Sequence, residues 1–512
     1  MLKLISVTAT ATALSCFGCH SLYHSLNTKV ECEIKEKNLT SNKKLDLNET
    51  CHKVAIIGSG IGGCSAAYFL RKLMPNVKID VYEKSHIVGG RLSIVKVGDH
   101  EFEAGGSIIH NKNQYVVNFM KETGLQPNVK PEKNFGIYNN EHFVFVESGV
   151  KIYNFLKLLW RYGPYTLYKM NLVVNETLKQ FDNIYSLQDY QKAYRTVEEL
   201  LVDIGGEKIL QYTKETLANV MLKEGVSKKL IDELITAAIR VNYGQNTNIN
   251  AFAGCLLFFT TKIDTSRGLV ALAGIQGDSL FSIKGGNYQI CKNLLSISYV
   301  NLMLDQEISS IQKCYDNSTK KVYYNLEFNN DERSKVNYDC VIIAAPLEAP
   351  KCILKCNNCL NWPSTQGSFK QIFATFVQGC LKYDTFNCKS ENEVPSFILT
   401  TENLKLKYTS IGVQTDVYGI MPEKKIYKLF SHYKLNDDDL KSCFHLDNSL
   451  TPKPVVEWYA YPAYNVPEVF APFKLDDGVF YVNAIERAAS AMEMSAIGGR
   501  NAAILSYQYL EK

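Results

Sequence analysis

A short apolar run, Lys53-Val-Ala-Ile-Ile57, passes directly into Gly58-Ser-Gly60-Ile-Gly-Gly63, and this junction constrains the chain more than any other feature. Consecutive apolar residues ending in a turn are what a strand buried on both faces requires, and such strands belong to parallel sheets covered by helices. The glycines divide the work. Gly58 permits the tight turn out of the strand, Gly60 lets the backbone approach a pyrophosphate, and Gly63 lets the next helix close on the sheet. That helix is predicted over Cys64 to Leu73 and is stopped by Pro75. Its N-terminus offers free N–H groups and the positive end of a dipole to phosphates. A second strand, Lys78-Ile-Asp-Val-Tyr82, ends at Glu83, 20 residues beyond Gly63. A carboxylate there accepts hydrogen bonds from ribose hydroxyls and repels a 2′-phosphate, so NADP is disfavoured. Glycines alone are a weak signal, but strand, glycines, helix, strand and acid in register predict a dinucleotide site. Its candidate ligands are Gly58, Ser59, Gly60, Ile61, Gly62, Gly63, Glu83 and Lys84.

The rest of the chain bounds what surrounds that site. With 512 residues there is room for two or three domains at about 150 residues each. Lys+Arg 56 against Asp+Glu 52 gives +4, too balanced for a nucleic-acid binder held by phosphate contacts. After the N-terminus no run approaches the ~20 apolar residues of a spanning helix. Residues 1–18 open with Lys3 and a threonine-diluted apolar run from Leu4 to Gly18, which reads as a secretory signal peptide; a plain tail is the alternative. Residues 19–51 are a polar, lysine-rich, flexible lead-in.

Fifteen cysteines are an odd total, so in a secretory compartment at least one stays unpaired or leaves with the leader, where Cys16 and Cys19 lie. Cys352, Cys356 and Cys359 form a C-x3-C-x2-C cluster with no adjacent His and no second pair. It reads as a disulfide or free-thiol loop, and no metal site is expected. Asn38, Asn48, Asn175 and Asn317 stand in N-x-T sequons, relevant only if the chain is secreted.

Between the first strand pair and the C-terminus the pattern changes twice. Gln114 to Leu125 is helical in period, Thr196-Val-Glu-Glu199 has capping-box spacing before a helix over Val197 to Ile204, and Ser227 to Arg240 carries one apolar face. Lys151 to Val174, broken at Pro164, mixes Trp160 and tyrosines with lysines; a buried or lobe-surface helix is expected, and peripheral membrane contact is the alternative. Strand-like runs then dominate: Lys321 to Glu327, the fully apolar Val341-Ile-Ile-Ala-Ala-Pro346, and Gln371 to Val377. Gly478 to Glu486 reads as a buried strand ending in an acid, followed by a small-residue helix over Ala488 to Tyr507.

FAD is separated from NAD by the segments after Glu83. Val88-Gly89-Gly90-Arg91 and Glu103-Ala-Gly105-Gly106-Ser107 resemble the flavoprotein superfamily of amine oxidases, polyene desaturases and Rab GDP-dissociation inhibitors. That resemblance places Gly90, Arg91, Gly105, Gly106 and Ser107 near the FAD, with Arg91 at the pyrophosphate. It also implies that Glu486 holds ribityl or ribose hydroxyls and that backbone near Met492 points at the flavin's pyrimidine edge. Met494 departs from it, standing where glycine is usual. The implied fold is α/β: an FAD-binding Rossmann-like domain, of amine oxidase and GDP-dissociation-inhibitor type, interleaved with a mixed α+β substrate lobe. The domain takes 52–112, 284–346 and 475–512; the lobe takes the mainly helical 113–283 and the strand-rich 347–474.

A narrower likeness follows from the middle of the chain. Arg240-Val-Asn-Tyr-Gly-Gln245 with Asn248 to Phe252, Lys284-Gly-Gly-Asn287, Leu158 to Gly163, Trp458-Tyr-Ala-Tyr-Pro462 and Ala488 to Ile497 resemble the prenylcysteine oxidases. The likeness runs from about Lys53 to Tyr509, with departures between Thr260 and Ser282 and at the cysteine cluster. It implies that free prenylcysteine gives up a hydride from the prenyl carbon beside sulfur to FAD. Water then adds, the hemithioacetal collapses to cysteine and a prenyl aldehyde, and dioxygen becomes hydrogen peroxide. It further implies a lysosomal location; prenylcysteine and O2 are the expected small-molecule partners, and no obligate protein partner is inferred. His110 is the titratable group expected nearest the flavin, a candidate acid/base; Tyr243 and Gln245 are candidates to orient the amino-acid end, with scaffold roles as the alternative for all three. Rival readings are a flavin oxidase of an amine, a non-redox prenyl carrier of the same fold, and a flavoprotein that has lost turnover.

Overall fold

The first strand, Lys53–Ile57, is buried from Val54 onward and lies inside a six-stranded sheet. A computed structural model describes residues 52–129, 134–257, 280–329, 336–363, 368–446 and 453–512. Across the sheet run Asn301–Met303, Lys78–Tyr82, Lys53–Ile57, Cys340–Ile343, Val479–Tyr481 and Lys474–Asp476, in that order. The first five are parallel and the last is antiparallel. Parallel strands covered on both faces explain why these runs are apolar rather than alternating. The expected α/β, Rossmann-like class holds, and the sheet draws its strands from three stretches far apart in sequence.

Two helices close against each other beside this sheet. One is Ile61–Leu73, beginning three residues before the expected Cys64; the other is the C-terminal helix Met492–Leu510. Their contact needs small residues: a Cβ on Gly499 would lie 2.3 Å from the Gly62 carbonyl oxygen. Ser65 Oγ donates to the Ala496 carbonyl at 2.8 Å across the same seam. The expected strand over Gly478 to Glu486 is shorter than read. Val479–Tyr481 is strand, and a 3₁₀ turn over Val482–Arg487 follows, so Glu486 sits in a turn and the helix starts at Met492 rather than Ala488.

The second lobe is built on a seven-stranded sheet in the order Val455–Pro462, Phe369–Gln378, Ile426–Ser431, Ser410–Val413, Phe397–Thr400, Phe135–Tyr138 and Phe143–Val146. The last two strands come from the stretch read as mainly helical, and Phe135–Tyr138 joins by parallel pairing to Phe397–Thr400. Helices from the same stretch cover the lobe. Thr196 and Glu199 form the expected capping box, but the helix runs on to Tyr212 past a kink at Gly205 and Gly206. The helix expected over Ser227 to Arg240 is Lys228–Leu230, a π turn Ile231–Ile235, and Thr236–Tyr243. Lys321–Phe328 pairs with Ile308–Asp316 in a separate three-stranded sheet.

Lys151–Tyr162 and Pro164–Phe181 form two surface helices. Their outer faces are apolar: Trp160 is 90% exposed, Tyr165 64% and Ile152 63%. Cys356 and Cys359 form a disulfide and Cys352 is a free thiol. Asn317 is exposed in the turn between two strands, whereas Thr177 of the Asn175 sequon is buried in a helix. The expected leader and lead-in, with Cys16, Cys19, Asn38 and Asn48, lie outside the described residues, as does most of the stretch between Thr260 and Ser282.

Candidate active site

A cavity of about 870 Å³ is lined by both sheets and by the helices between them. At one end stands the glycine turn. Gly58 adopts φ +106°, and a Cβ on Gly63 would lie 2.0 Å from the Gly58 carbonyl oxygen, so the turn and the helix behind it admit no side chain at either position. Gly60 differs: a Cβ there would meet only the Gly89 carbonyl oxygen, at 3.8 Å, because it faces the cavity. The helix N-terminus at Gly60 carries no side-chain cap and no acid in its first turn, which leaves its N–H groups open to an anion.

Glu83 lines the same end but is partly engaged. Its Oε2 accepts from Ser59 N at 2.9 Å and Ser59 Oγ at 2.7 Å, and its Oε1 accepts from Ser85 N at 3.0 Å. Ser59 is therefore a brace behind the wall rather than part of it, and Gly63 likewise lies beneath the turn. Gly58, Gly60, Ile61, Gly62, Glu83 and Lys84 all line the cavity.

Gly90, Arg91, Gly105, Gly106, Ser107 and Met492 also line the cavity. Gly105 is small because the Trp458 ring lies over it, with Cη2 2.3 Å from where a Cβ would be. Arg91 Nη1 donates to the Ala460 carbonyl at 3.0 Å, and its Nη2 is ion-paired with Glu486. Burial works against the Arg91 charge, and Glu486 more than offsets it, raising the guanidinium's pKa. Glu486 was expected to hold ligand hydroxyls directly. In the 3₁₀ turn its carboxylate instead lies behind Arg91, off the cavity wall, where it also accepts from Asn483 Nδ2 at 2.9 Å. Glu486 Oε2 and the cavity-lining Asn483 Oδ1 are buried acceptors with no hydrogen-bond partner among the described residues. A buried acceptor on the cavity wall calls for a donor, and at Asn483 a polyhydroxy ligand chain supplies one. The open helix N-terminus, the bare Gly60 face, Arg91 and the Asn483 acceptor fit a dinucleotide bearing a flavin.

Where the C-terminal helix begins, Met492, Glu493 and Met494 line the cavity. Glu493 was missed in the sequence. It is 3% exposed, and it accepts from Tyr115 N at 2.8 Å, Val116 N at 3.1 Å and Tyr185 Oη at 2.8 Å, so it caps the helix Gln114–Glu122 from another chain segment. Burial pushes its carboxyl up to about 7 against the pull of those donors.

His110 lines the cavity and is nearly buried. Its Nδ1 accepts from Lys112 N at 3.0 Å, which places the ring proton on Nε2 in the neutral form. Burial, helped by the Lys112 charge, lowers its pKa to about 4. Tyr243 also lines the cavity; its Oη donates to the Ser490 carbonyl at 3.2 Å, and its ring packs edge-on against Tyr461 and Tyr464. Gln245 does not line the cavity. Its Nε2 donates to the Pro462 carbonyl and its Oε1 accepts from Tyr464 N, both at 3.0 Å, so both ends of the amide are spent bracing the strand end. The structure thus corrects its expected contact with substrate. Reading the sequence for titratable groups also passed over Arg240 and Lys428, the buried cations of the cavity wall; Arg240 stands in the quoted motif, while Lys428 carries no local signal.

Comparison with known proteins fits this geometry. Residues 145–512 match the family model described as prenylcysteine lyase, and residues 56–123 match an NAD(P)-binding Rossmann-like domain. The chain is 37% identical over 470 residues to prenylcysteine oxidase 1 of Bos taurus, covering 89% of this chain and 88% of that one. It is 30% identical over 471 residues to the human prenylcysteine oxidase 1-like protein, covering 89% and 90%. Among solved structures, a putrescine oxidase superposes with a TM-score of 0.59 at 13% identity, covering 90% of this chain and all of that one. Cyclohexylamine oxidase from Brevibacterium oxydans gives 0.59 at 15% identity over the same shares. At these identities the two amine oxidases establish the fold alone.

Proposed function

The chain belongs to the prenylcysteine lyase family, whose relatives include the prenylcysteine oxidases, and from that premise we propose that it is an FAD-dependent oxidase of prenylcysteines. The reaction converts a prenylcysteine, water and dioxygen into free cysteine, a prenyl aldehyde and hydrogen peroxide. Bound flavin supplies the two-electron acceptor for the thioether carbon. The chain supplies position and surroundings.

One observation carries the reading: a single cavity joins the phosphate-type glycine turn to an apolar wall. Phe181, Leu256, Leu257, Leu280 and Ile108 line that wall, and an isoprenoid chain is the kind of ligand such a surface holds. Arg91 neutralises phosphate charge, with Glu486 holding the guanidinium in place. The helix beginning at Met492 brings its N-terminus to the cavity wall, where its N–H groups would stabilise negative charge on a bound flavin. Tyr243, fixed on Ser490, bounds the reacting zone, and His110 stands on the cavity wall as a neutral ring rather than a cation.

The experiment is anaerobic addition of farnesylcysteine to the purified yellow protein. Loss of the visible flavin band, restored by air with release of peroxide and farnesal, is the expected result. Reduction by a polyamine and not by farnesylcysteine would favour an amine substrate; no reduction by either would leave a carrier.

We place the protein in the secretory pathway, in the lysosome, on the leader-like residues 1–18. Peripheral membrane contact through the helices Lys151–Tyr162 and Pro164–Phe181 belongs to the same reading, since Trp160, Tyr165 and Tyr168 are exposed on them and the half-buried Lys169 lies over the Tyr165 ring.

A further inference from the structure

Arg240 is a buried cation with no ion-pair partner among the described residues. It lies on the helix Thr236–Tyr243, is 7% exposed, and lines the cavity. Its Nε donates to Thr400 Oγ1 and its Nη1 to Asn246 Oδ1, both at 3.0 Å. Thr400 Oγ1 in turn donates to the Thr409 carbonyl at 2.8 Å, which fixes the acceptor in place. Both partners are neutral, and a guanidinium has five N–H donors, so these bonds leave most of its donor capacity unused among the described residues.

No carboxylate forms an ion pair with Arg240 among the described residues. The acids that line the cavity are occupied elsewhere. Glu83 is held by Ser59 and Ser85, Glu493 by Tyr115, Val116 and Tyr185, Glu307 faces Lys84, and Glu457 accepts from Gln371. Burial lowers the Arg240 pKa, and the only acid that counters this is the exposed Glu402. A charge in that position is costly to keep unless a ligand supplies the opposite one.

The placement suits one end of the substrate. Arg240 and Tyr243 are three residues apart and share a helix face. Tyr243 is tied to Ser490, two residues before the C-terminal helix begins, and Arg240 lies about one helical turn along its own helix from that tether. We propose that Arg240 anchors the α-carboxylate of free prenylcysteine and thereby makes an unblocked carboxyl group a requirement for efficient turnover. The proposal rests on the prenylcysteine reading and names the residue that selects for its amino-acid end. A planar guanidinium with parallel N–H groups is matched to a carboxylate, which explains arginine here rather than lysine.

The test compares farnesylcysteine with its methyl ester, which keeps the prenyl chain, thioether and ammonium group and removes the negative charge. Wild-type protein is expected to favour the acid by about 10- to 100-fold in kcat/KM, mostly through KM. Arg240→Gln is expected to lose far more on the acid than on the ester, drawing the ratio towards one, while the bound flavin keeps its visible spectrum. Arg240→Lys should recover part of the preference. Acid and ester falling by the same factor in Arg240→Gln would mean that only the Thr400–Asn246 brace was lost, and would overturn the proposal. So would a preference that survives Arg240→Gln and vanishes in Lys428→Met, the other buried cation, whose Nζ donates to the Glu103 carbonyl. Equal wild-type rates on acid and ester overturn it without any variant, even if the variants do not fold. Wild-type flavin that neither compound reduces refutes the prenylcysteine reading itself, a different result from reduction by both alike.

Discussion

Glu493 shows what a single residue can join. Its carboxylate caps a helix by accepting from the Tyr115 N–H, 378 residues earlier in the chain, and it does so from the first turn of the helix that reaches the cavity. An acid whose folded value is about 7 against an ordinary 4.5 favours the protonated form in the folded state. Its contribution to stability is therefore complete below about pH 4.5 and lost as pH rises through 7, a change on the order of 3 kcal/mol. Glu493→Gln, which carries the uncharged form at every pH, is expected to flatten the dependence of melting temperature on pH between 5 and 8. Parallel wild-type and variant curves would count against the assignment. His110 has the opposite sign: its value of about 4 lies below the ordinary 6.5, so the neutral ring is favoured, and that contribution is complete above about pH 6.5 and lost as pH falls from there through 4. The pH profile of kcat/KM should then show no ionisation near 6.5 that His110→Ala abolishes. A limb near 6.5 that disappears in the variant would restore a charged role for the ring. Arg91 makes a third case. Replacing it with Leu strands the 2%-exposed Glu486 carboxylate, with an expected loss of about 3–5 kcal/mol in denaturant unfolding. Glu486→Gln in the same chain should return much of it. The glycine positions and Glu83 were legible in the sequence because their jobs are local. The partnership of Arg91 with Glu486 was not, since 395 residues separate them and only the fold makes them neighbours.

Elements repeat that lesson with a different cause. Apolar runs gave away the strands at 53–57 and 340–343 because full burial leaves no alternation to misread. The run after Gly478 misled for the same reason: Val482 to Ile485 are as buried as a central strand, yet their backbone is a 3₁₀ turn. Burial was read correctly and conformation was not, because periodicity cannot separate the two over so few residues. The helices at 151–162 and 164–181 were ambiguous for another reason, since they are apolar on the face that meets solvent as well as on the face that meets the lobe. Ile152, Leu156 and Trp160 recur at four-residue spacing on the first, and Tyr165, Tyr168 and Leu172 follow the same logic on the second, all exposed. With lysines beside them, this surface is expected to bind vesicles containing anionic phospholipid, less tightly as salt increases. Trp160→Ala combined with Tyr165→Ala should cut co-sedimentation by roughly tenfold while leaving farnesylcysteine oxidation in solution intact. Equal co-sedimentation by variant and wild type would remove the membrane from the reading.

At the scale of the molecule, the cavity exists only because separated stretches return to one place. The glycine turn comes from 58–63, Arg91 and Gly105 to Ser107 from the next segment, and the helix N-terminus at Met492 from the far end of the chain, while the opposite wall comes from the second sheet. A dinucleotide bridging those pieces binds the folded arrangement and not the open chain, so its free energy adds to folding as RT ln(1 + [L]/Kd), about 2.7 kcal/mol at a hundredfold excess over Kd. Stripping the flavin is therefore expected to lower the melting temperature by several degrees, and adding it back should restore the original value. Hydrogen exchange distinguishes a bridging ligand from a local one. Amides in 58–64, 89–92, 104–107 and 490–496 should gain exchange together when the flavin is removed, because each contributes to the same ligand, whereas Ile426–Ser431 in the second sheet should change little. Faster exchange confined to the glycine turn would mean that the nucleotide half alone is held, and that the flavin ring does not sit where the distant segments converge.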